Sequence, residues 1–262
     1  MTDQSAQTNT TPPSPTRAPS RAGILRAAQK ISALLPPTPL LPLDLPGGTI
    51  WCKAESLQPV GAFKIRGAWH RLTDLTEAER ARGVVGVSSG NHAQGVAWAA
   101  KRLGIAATIV MPSNAPAMKL AATRALGAEV VLYDRLTESR DAVAAALLAQ
   151  SGGTLVHAYG DPWIIEGQGT LALEAEAQLG ARGVGSPTHI IACCGGGGLS
   201  AGVALACPDA AIHAVEPEGW DDVTRSLAAG EILAVDDLSY PTPCDALQTP
   251  QTWPINFAVL QA

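Results

Sequence analysis

The chain has 262 residues, 47% of them hydrophobic and 16% charged, with a formal net charge of −5. That length supports one large or two small α/β domains with a real core. The mild acidity without basic clusters argues against nucleic acid or an anionic membrane as a partner, and no apolar run is long enough to span a bilayer. In chain order, residues 1–22 are rich in Ser, Thr, Pro and Gln and lack the apolar centre of a signal peptide, which predicts a disordered tail and a cytoplasmic protein. A short amphipathic helix is predicted over Ile24–Leu35, stopped by Pro36 and Pro37. Strands are expected at Thr49–Lys53, Val84–Ser88, Ala107–Met111, Glu129–Leu132, Thr154–His157, Thr188–Cys193 and Ala211–Glu216. Helices are expected between them at Ala93–Leu103, Pro116–Leu126, Ser139–Gln150, Thr170–Leu179 and Ser200–Ala206. Gly104, Gly127 and Gly180 stand where a helix C-cap needs positive φ. The alternation predicts an α/β protein with a parallel, doubly wound sheet.

Cys52, Cys193, Cys194, Cys207 and Cys244 form no CxxC pair and have no histidine nearby at metal-ligand spacing. Cys193 and Cys194 end an apolar run, where cysteine behaves as a small buried hydrophobe, and a reducing compartment fits.

Lys64 follows Gly61, Ala62 and Phe63 in a stretch with no Asp or Glu between Glu55 and Asp74. Held against apolar groups without a carboxylate, a lysine loses hydration, its pKa falls, and a nucleophilic amine becomes available for a Schiff base with an aldehyde. The plainer reading is a solvated lysine opening a helix. Thr188 to Gly202 reads as an apolar strand, four glycines (Gly195 to Gly198) and a helix start, a place where backbone N–H groups and the helix dipole converge on a phosphate. It lacks the P-loop pattern, and no Gly-x-Gly-x-x-Gly opens the first βαβ unit, so ATP and dinucleotides are disfavoured. Val84 to Gly95 is a second strand–turn–helix, whose Ser88, Ser89, Gly90 and Asn91 suit a carboxylate, or else simply cap the helix. His92 taken alone reads as a packed helix-start histidine. Glu216, Glu218, Asp221 and Asp222 crowd the segment after a strand, either as oxygen ligands for Mg²⁺ or Ca²⁺ or as a solvated acidic loop.

The Gly-Ala-Phe-Lys64 turn, the Ser88-Ser-Gly-Asn-His92 turn and the tetraglycine turn, in that order, resemble the pyridoxal-phosphate enzymes of fold type II. Within them the serine/threonine dehydratase and serine racemase group matches best, because the second turn of cysteine synthases usually reads Thr-Ser-Gly-Asn-Thr. The likeness runs from about Thr38 through Leu247. It implies two doubly wound parallel-sheet domains, a large one from 23–82 and 161–262 and a small one from 83–160. It implies pyridoxal 5'-phosphate as cofactor, with Lys64 as the Schiff-base lysine and proton carrier on one face and Ser89 as the residue on the other. Asn91 would hydrogen-bond the cofactor's 3′-oxygen, while Gly195, Gly196, Gly197, Gly198 and Leu199 would cradle its phosphate. Ser88, Ser89, Gly90 and His92 would receive the substrate carboxylate. Glu216, the Trp220 carbonyl and Asp222 match a divalent-cation site, and Gly167-Gln168-Gly169-Thr170 matches a structural motif. Trp163 and Tyr159 would narrow the pocket.

The implied chemistry is β-elimination of a small 3-hydroxy amino acid, such as L-serine or L-threonine, to a 2-oxo acid and ammonia, in a homo-oligomer. Racemisation and β-replacement are the related alternatives. The family's later Glu-Pro-x-Gly-Ala segment and Ser-Gly-Gly-Asn turn do not occur in this sequence. A C-terminally truncated homologue with an incomplete large domain is therefore expected, with an edge strand and part of the core exposed. A catalytically impaired homologue that binds a ligand or partner is the competing expectation.

Overall fold

A computed structural model describes residues 17–88 and 90–262. Helix α1 (Arg21–Ser32) opens on Ser20, whose hydroxyl accepts from Gly23 N. Residues 17–22 of the expected tail are ordered, with Arg17 and Ser20 binding Glu166, and the rest of that expectation lies outside the described residues. An antiparallel hairpin follows, β1 (Leu40–Leu45) against β2 (Gly48–Lys53). Its first strand, Leu-Leu-Pro-Leu-Asp-Leu, is not among the expected ones, since its proline masks the alternation. Helix α2 (Lys64–Thr73) begins at Lys64 itself, and α3 (Glu77–Arg82) starts on a Thr76/Glu79 capping box.

Next come β3 (Val84–Val87), α4 (Asn91–Leu103), β4 (Ala107–Pro112), α5 (Ala117–Ala125), β5 (Glu129–Tyr133), α6 (Arg140–Ser151) and β6 (Thr154–Val156). These four strands form a parallel sheet in the order β5-β4-β3-β6. Helix α7 (Pro162–Gly180) is longer than the Thr170–Leu179 expected, because Asp161 caps it with two main-chain hydrogen bonds and Pro162 sits at its first position. Gly180 belongs to its last turn, and the positive φ expected there falls at Gly183 instead. A parallel pair follows, β7 (His189–Cys193) and β8 (Ala211–Val215), linked by α8 (Gly198–Ala206). Helices α9 (Asp222–Ala229) and α10 (Pro254–Gln261) end the chain. Parallel sheets interleaved with helices are the α/β architecture the alternation predicts, and among the described residues no helix is long and apolar enough to cross a membrane.

The core is built around α2. Its positions 65, 68 and 72 lie on one face and are fully buried with Val96 and Ala97 of α4 and Ile164 of α7. Each such large aliphatic side chain contributes roughly 1.5–3 kcal/mol by leaving water. Glycines let these helices touch. A Cβ on Gly67 would stand 2.8 Å from the Ile164 carbonyl, and one on Gly169 would stand 2.5 Å from that of Gly202. The Gly167–Thr170 motif is thus a packing device, with Gln168 fully buried and accepting from Gly67 N. Gly169→Ala is expected to cost about 1–3 kcal/mol by overpacking, read from denaturant unfolding. Gly180→Ala, at a site with open space around it, should leave the midpoint unchanged or raise it slightly.

The outer face of β7 and β8 is uncovered, with Ile191 71% and Val215 51% exposed. Cys193 shares that face and is exposed, contrary to the buried cysteine expected, whereas Cys194 points to α8 and is buried. Burial raises the Cys194 thiol to about 12 and the Cys207 thiol to about 11, so both are inert.

Candidate active site

The C-terminal ends of β3, β6 and β7 converge, which is where open parallel sheets place ligands. Lys64 occupies the first position of α2 there. Its Nζ donates to the Ala158 carbonyl at 2.8 Å, and the Phe63 ring lies 5.3 Å away. Burial lowers its pKa to about 8. The nearest acidic residue in sequence is Glu55, and it is taken: Arg66 holds it through two bonds of 2.7 and 2.8 Å and holds Glu174 through two more. The partner of the Lys64 amine is a main-chain carbonyl and not a carboxylate, so among the described residues no carboxylate offsets the desolvation that lowers its pKa.

The second turn is brought to the same place by Gly95, where a Cβ would stand only 3.0 Å from the Lys64 carbonyl carbon. Helix α4 therefore crosses the start of α2 at the lysine. Its first turn has no side-chain cap; Gly90 is the N-cap and Asn91 the first helical residue, so its leading N–H groups keep their anion-binding capacity. Ser88 Oγ accepts from Gly90 N at 3.2 Å. His92 is 2% exposed, with Nε2 on the Val156 carbonyl at 2.9 Å, and burial drives its pKa to about 3. The ring is neutral and engaged elsewhere, which leaves only its main-chain N–H for a carboxylate. Ser89 lies outside the described residues.

The tetraglycine turn is the third part. Helix α8 begins at Gly198 with Gly197 as N-cap at φ 86°, again without a side-chain cap. A Cβ on Gly196 would overlap the Tyr159 ring, and one on Gly198 would stand 2.9 Å from Tyr159 Cβ. Thr252, fully buried, donates to the Gly196 carbonyl at 3.2 Å, and the buried Asn256 amide donates there as well. Leu199, at the second position of α8, is partly buried. The turn thus offers uncapped N–H groups in a bend that side chains of any size would block, which fits a phosphate.

In the segment between Lys64 and this turn the sequence reading singles out Tyr159 but neither His157 nor Ala158. His157 accepts from Gly160 N at 2.7 Å and lies 4.7 Å from the Trp253 ring, and its pKa falls to about 3 through burial. Ala158 holds the lysine, and Tyr159 rests on the glycines. Position was the available signal: all three follow a short parallel strand. Val87, Arg140, His157, Tyr159 and Trp253 line a cavity of about 50 Å³ beside them. Trp163 is elsewhere, stacked between the Arg17 and Arg71 guanidiniums, so it does not narrow this pocket.

The acidic loop is only partly arranged for a cation. Glu216 accepts from Val223 N, Thr224 N and the Thr224 hydroxyl, capping α9 from outside. Asp222 is fully buried, its carboxyl is paired with no cationic side chain among the described residues, and burial with the nearby Glu216 charge raises its pKa to about 7. Trp220 N donates to the Pro217 carbonyl and its indole to Tyr240 O.

A buried amine of lowered pKa beside two uncapped helix starts defines a scaffold for an aldehyde cofactor with an anionic tail. The comparisons agree. The family model described as "Pyridoxal-phosphate dependent enzyme" matches residues 31–262, and the chain belongs to that family. It is 41% identical over 249 residues to an L-threo-3-hydroxyaspartate ammonia-lyase of a Pseudomonas species, covering 91% of this chain and 75% of that protein. A threonine deaminase from the organism abbreviated T.th. superposes with a TM-score of 0.85 at 42% identity, over 93% of this chain and 79% of that one. Maize serine racemase gives 0.86 at 36% identity, over 94% and 74%. The fold is that of fold type II, the cofactor is pyridoxal 5'-phosphate, and the relatives are ammonia-lyases and racemases.

The amine's titration has a readable consequence. With a pKa of about 8, roughly a tenth of Lys64 is neutral at pH 7 and half at pH 8, against well under a hundredth for an ordinary lysine. The rate of pyridoxal 5'-phosphate capture should climb about fivefold between pH 7 and 8 and level off above pH 9. A rate still climbing at pH 10 would mean an ordinary, solvated amine.

Proposed function

We propose that this chain catalyses β-elimination of a 3-hydroxy amino acid to a 2-oxo acid and ammonia. The observation that carries this reading is the half-buried Lys64, its amine on a main-chain carbonyl and its backbone pressed against the start of α4. When bound, the cofactor supplies the electron sink that acidifies the substrate's α-carbon. Lys64 Nζ would hold the cofactor at rest and take the α-proton as general base, its pKa near the working pH. The main-chain N–H groups that open α4 at Asn91 and His92, with the Ser88 hydroxyl, would orient the carboxylate, and Asn91 would lie beside the cofactor ring. Those of Gly195 to Leu199 would fix the phosphate.

Among the substrates, 3-hydroxyaspartate draws support from Arg140, which lines the cavity beside Ala158 and would have to exchange its 3.4 Å pairing with Asp141 for a second substrate carboxylate, and from the Pseudomonas relative's activity. Serine and threonine need no such cation. A divalent cation at Glu216, the Trp220 carbonyl and Asp222 belongs to the same reading, supported by the buried Asp222 carboxyl. Mg²⁺ or Ca²⁺ would then raise the melting temperature, and Asp222→Asn would remove the rise.

The test is to load the purified chain with pyridoxal 5'-phosphate and supply L-serine, L-threonine and L-threo-3-hydroxyaspartate in turn. Release of ammonia with pyruvate, 2-oxobutyrate or oxaloacetate supports the reading. A chain that takes up no cofactor overturns it. A second reading, an impaired homologue that binds a ligand or partner, draws on the uncovered apolar face of β7 and β8. It predicts cofactor capture without product.

A further inference from the structure

One cation reaches over the carboxylate turn, and none of the roles above uses it. Lys119, in the first turn of α5, lays its side chain across Gly90. Its Nζ, Cδ and Cε stand 3.3, 3.4 and 3.6 Å from where a Cβ on Gly90 would be. The ammonium pairs with Asp245, at the one-turn helix Asp245–Leu247. That short helix borders the other turn: a Cβ on Gly195 would meet Leu247 Cα at 3.4 Å and the Thr249 hydroxyl at 2.8 Å. The ion pair therefore bridges the mouth of the site, from the end of β3 to the end of β7. Lys119 and Asp245 are 25% and 60% exposed, so the pair is solvated and exchangeable.

The turn needs such a charge. His92 is neutral and bound to Val156, and Lys64 is spent on Ala158, so neither offers a positive charge to a carboxylate docked on the α4 start. The helix amides alone bring only partial charges.

We propose that Lys119 is a substrate-carboxylate clasp held open by Asp245: an amino acid arriving on the Ser88–His92 turn displaces Asp245 and takes the ammonium. This rests on the reading above, in which that turn receives the carboxylate. Asp245 then acts as a resting partner that competes with substrate. Removing the two members of the pair should shift affinity in opposite directions, whereas a merely structural ion pair would weaken binding from either side.

The experiment titrates cofactor-loaded protein with alanine, which has the carboxylate, and with alaninamide, which lacks it, following the change in visible absorbance. Lys119→Met should weaken alanine about tenfold or more, as expected for losing one charge-assisted hydrogen bond. Alaninamide affinity should not move. Lys119→Arg should retain most of the alanine affinity, and Asp245→Asn should tighten it. The proposal is overturned if Lys119→Met leaves alanine unchanged, if it weakens both ligands alike, or if Asp245→Asn weakens alanine. Wild-type protein that takes up no cofactor would instead sink the catalytic reading, and the clasp with it.

Discussion

Replacing Lys64 with alanine is expected to abolish the cofactor's borohydride-sensitive absorbance and to lower 2-oxo acid release by on the order of 10⁴-fold. In the proposed reading the residue combines two functions that neither neighbouring histidine can assume. Its histidine neighbours, His92 and His157, are both driven to a pKa of about 3 by burial. Neither ring accepts a proton near neutral pH. The fold should survive, because Lys64 makes a single hydrogen bond, to a main-chain carbonyl, and its removal relieves a desolvated charge. Circular dichroism and the unfolding midpoint check that point. Substantial turnover in a folded Lys64→Ala protein would remove the lysine from the mechanism.

Arg66→Ala is expected to be the most destabilising single change in the site's surroundings, by about 3–5 kcal/mol. The guanidinium is fully buried, and it spans Glu55 before α2 and Glu174 within α7, with Thr170 at 3.2 Å. Those carboxylates are only 11% and 19% exposed, so truncation strands two anions, with Lys53 left to answer one of them. Denaturant unfolding measures the loss. A shift below about 1 kcal/mol would mean that water reaches the pair and does what the arginine does.

Much of this was legible in the sequence for physical reasons. The parallel strands showed because buried strands are unbroken apolar runs, and some of the helices between them because a glycine closed them, as at Gly104 and Gly127. Lys64 stood out by the lack of nearby acids, and the two turns proposed to bind anions by glycines ahead of a helix. What stayed hidden depended on distance along the chain. Ala158 matters through its carbonyl, which carries no residue signature. Arg66 looked like any helix cation until Glu174, 108 residues on, closed the network. The first half of α7 was obscured because buried helix positions occupied by glycine carry no periodic pattern. Cys193 sits on the open face of a two-stranded pair, and local sequence does not reveal which face of a strand is covered.

Helix α1 and helix α7 meet through an exchange of volume: the Glu166 carboxylate occupies the space a methyl on Gly23 would need, and Arg17, Ser20 and His70 hold it there. Neither position can drift alone. Enlarging residue 23 evicts an anion from its donors, and shrinking residue 166 leaves a hole between helices together with a stranded guanidinium. The pair should therefore change hands as a unit among descendants of this chain, a bulkier residue at one site arriving with a smaller, uncharged one at the other.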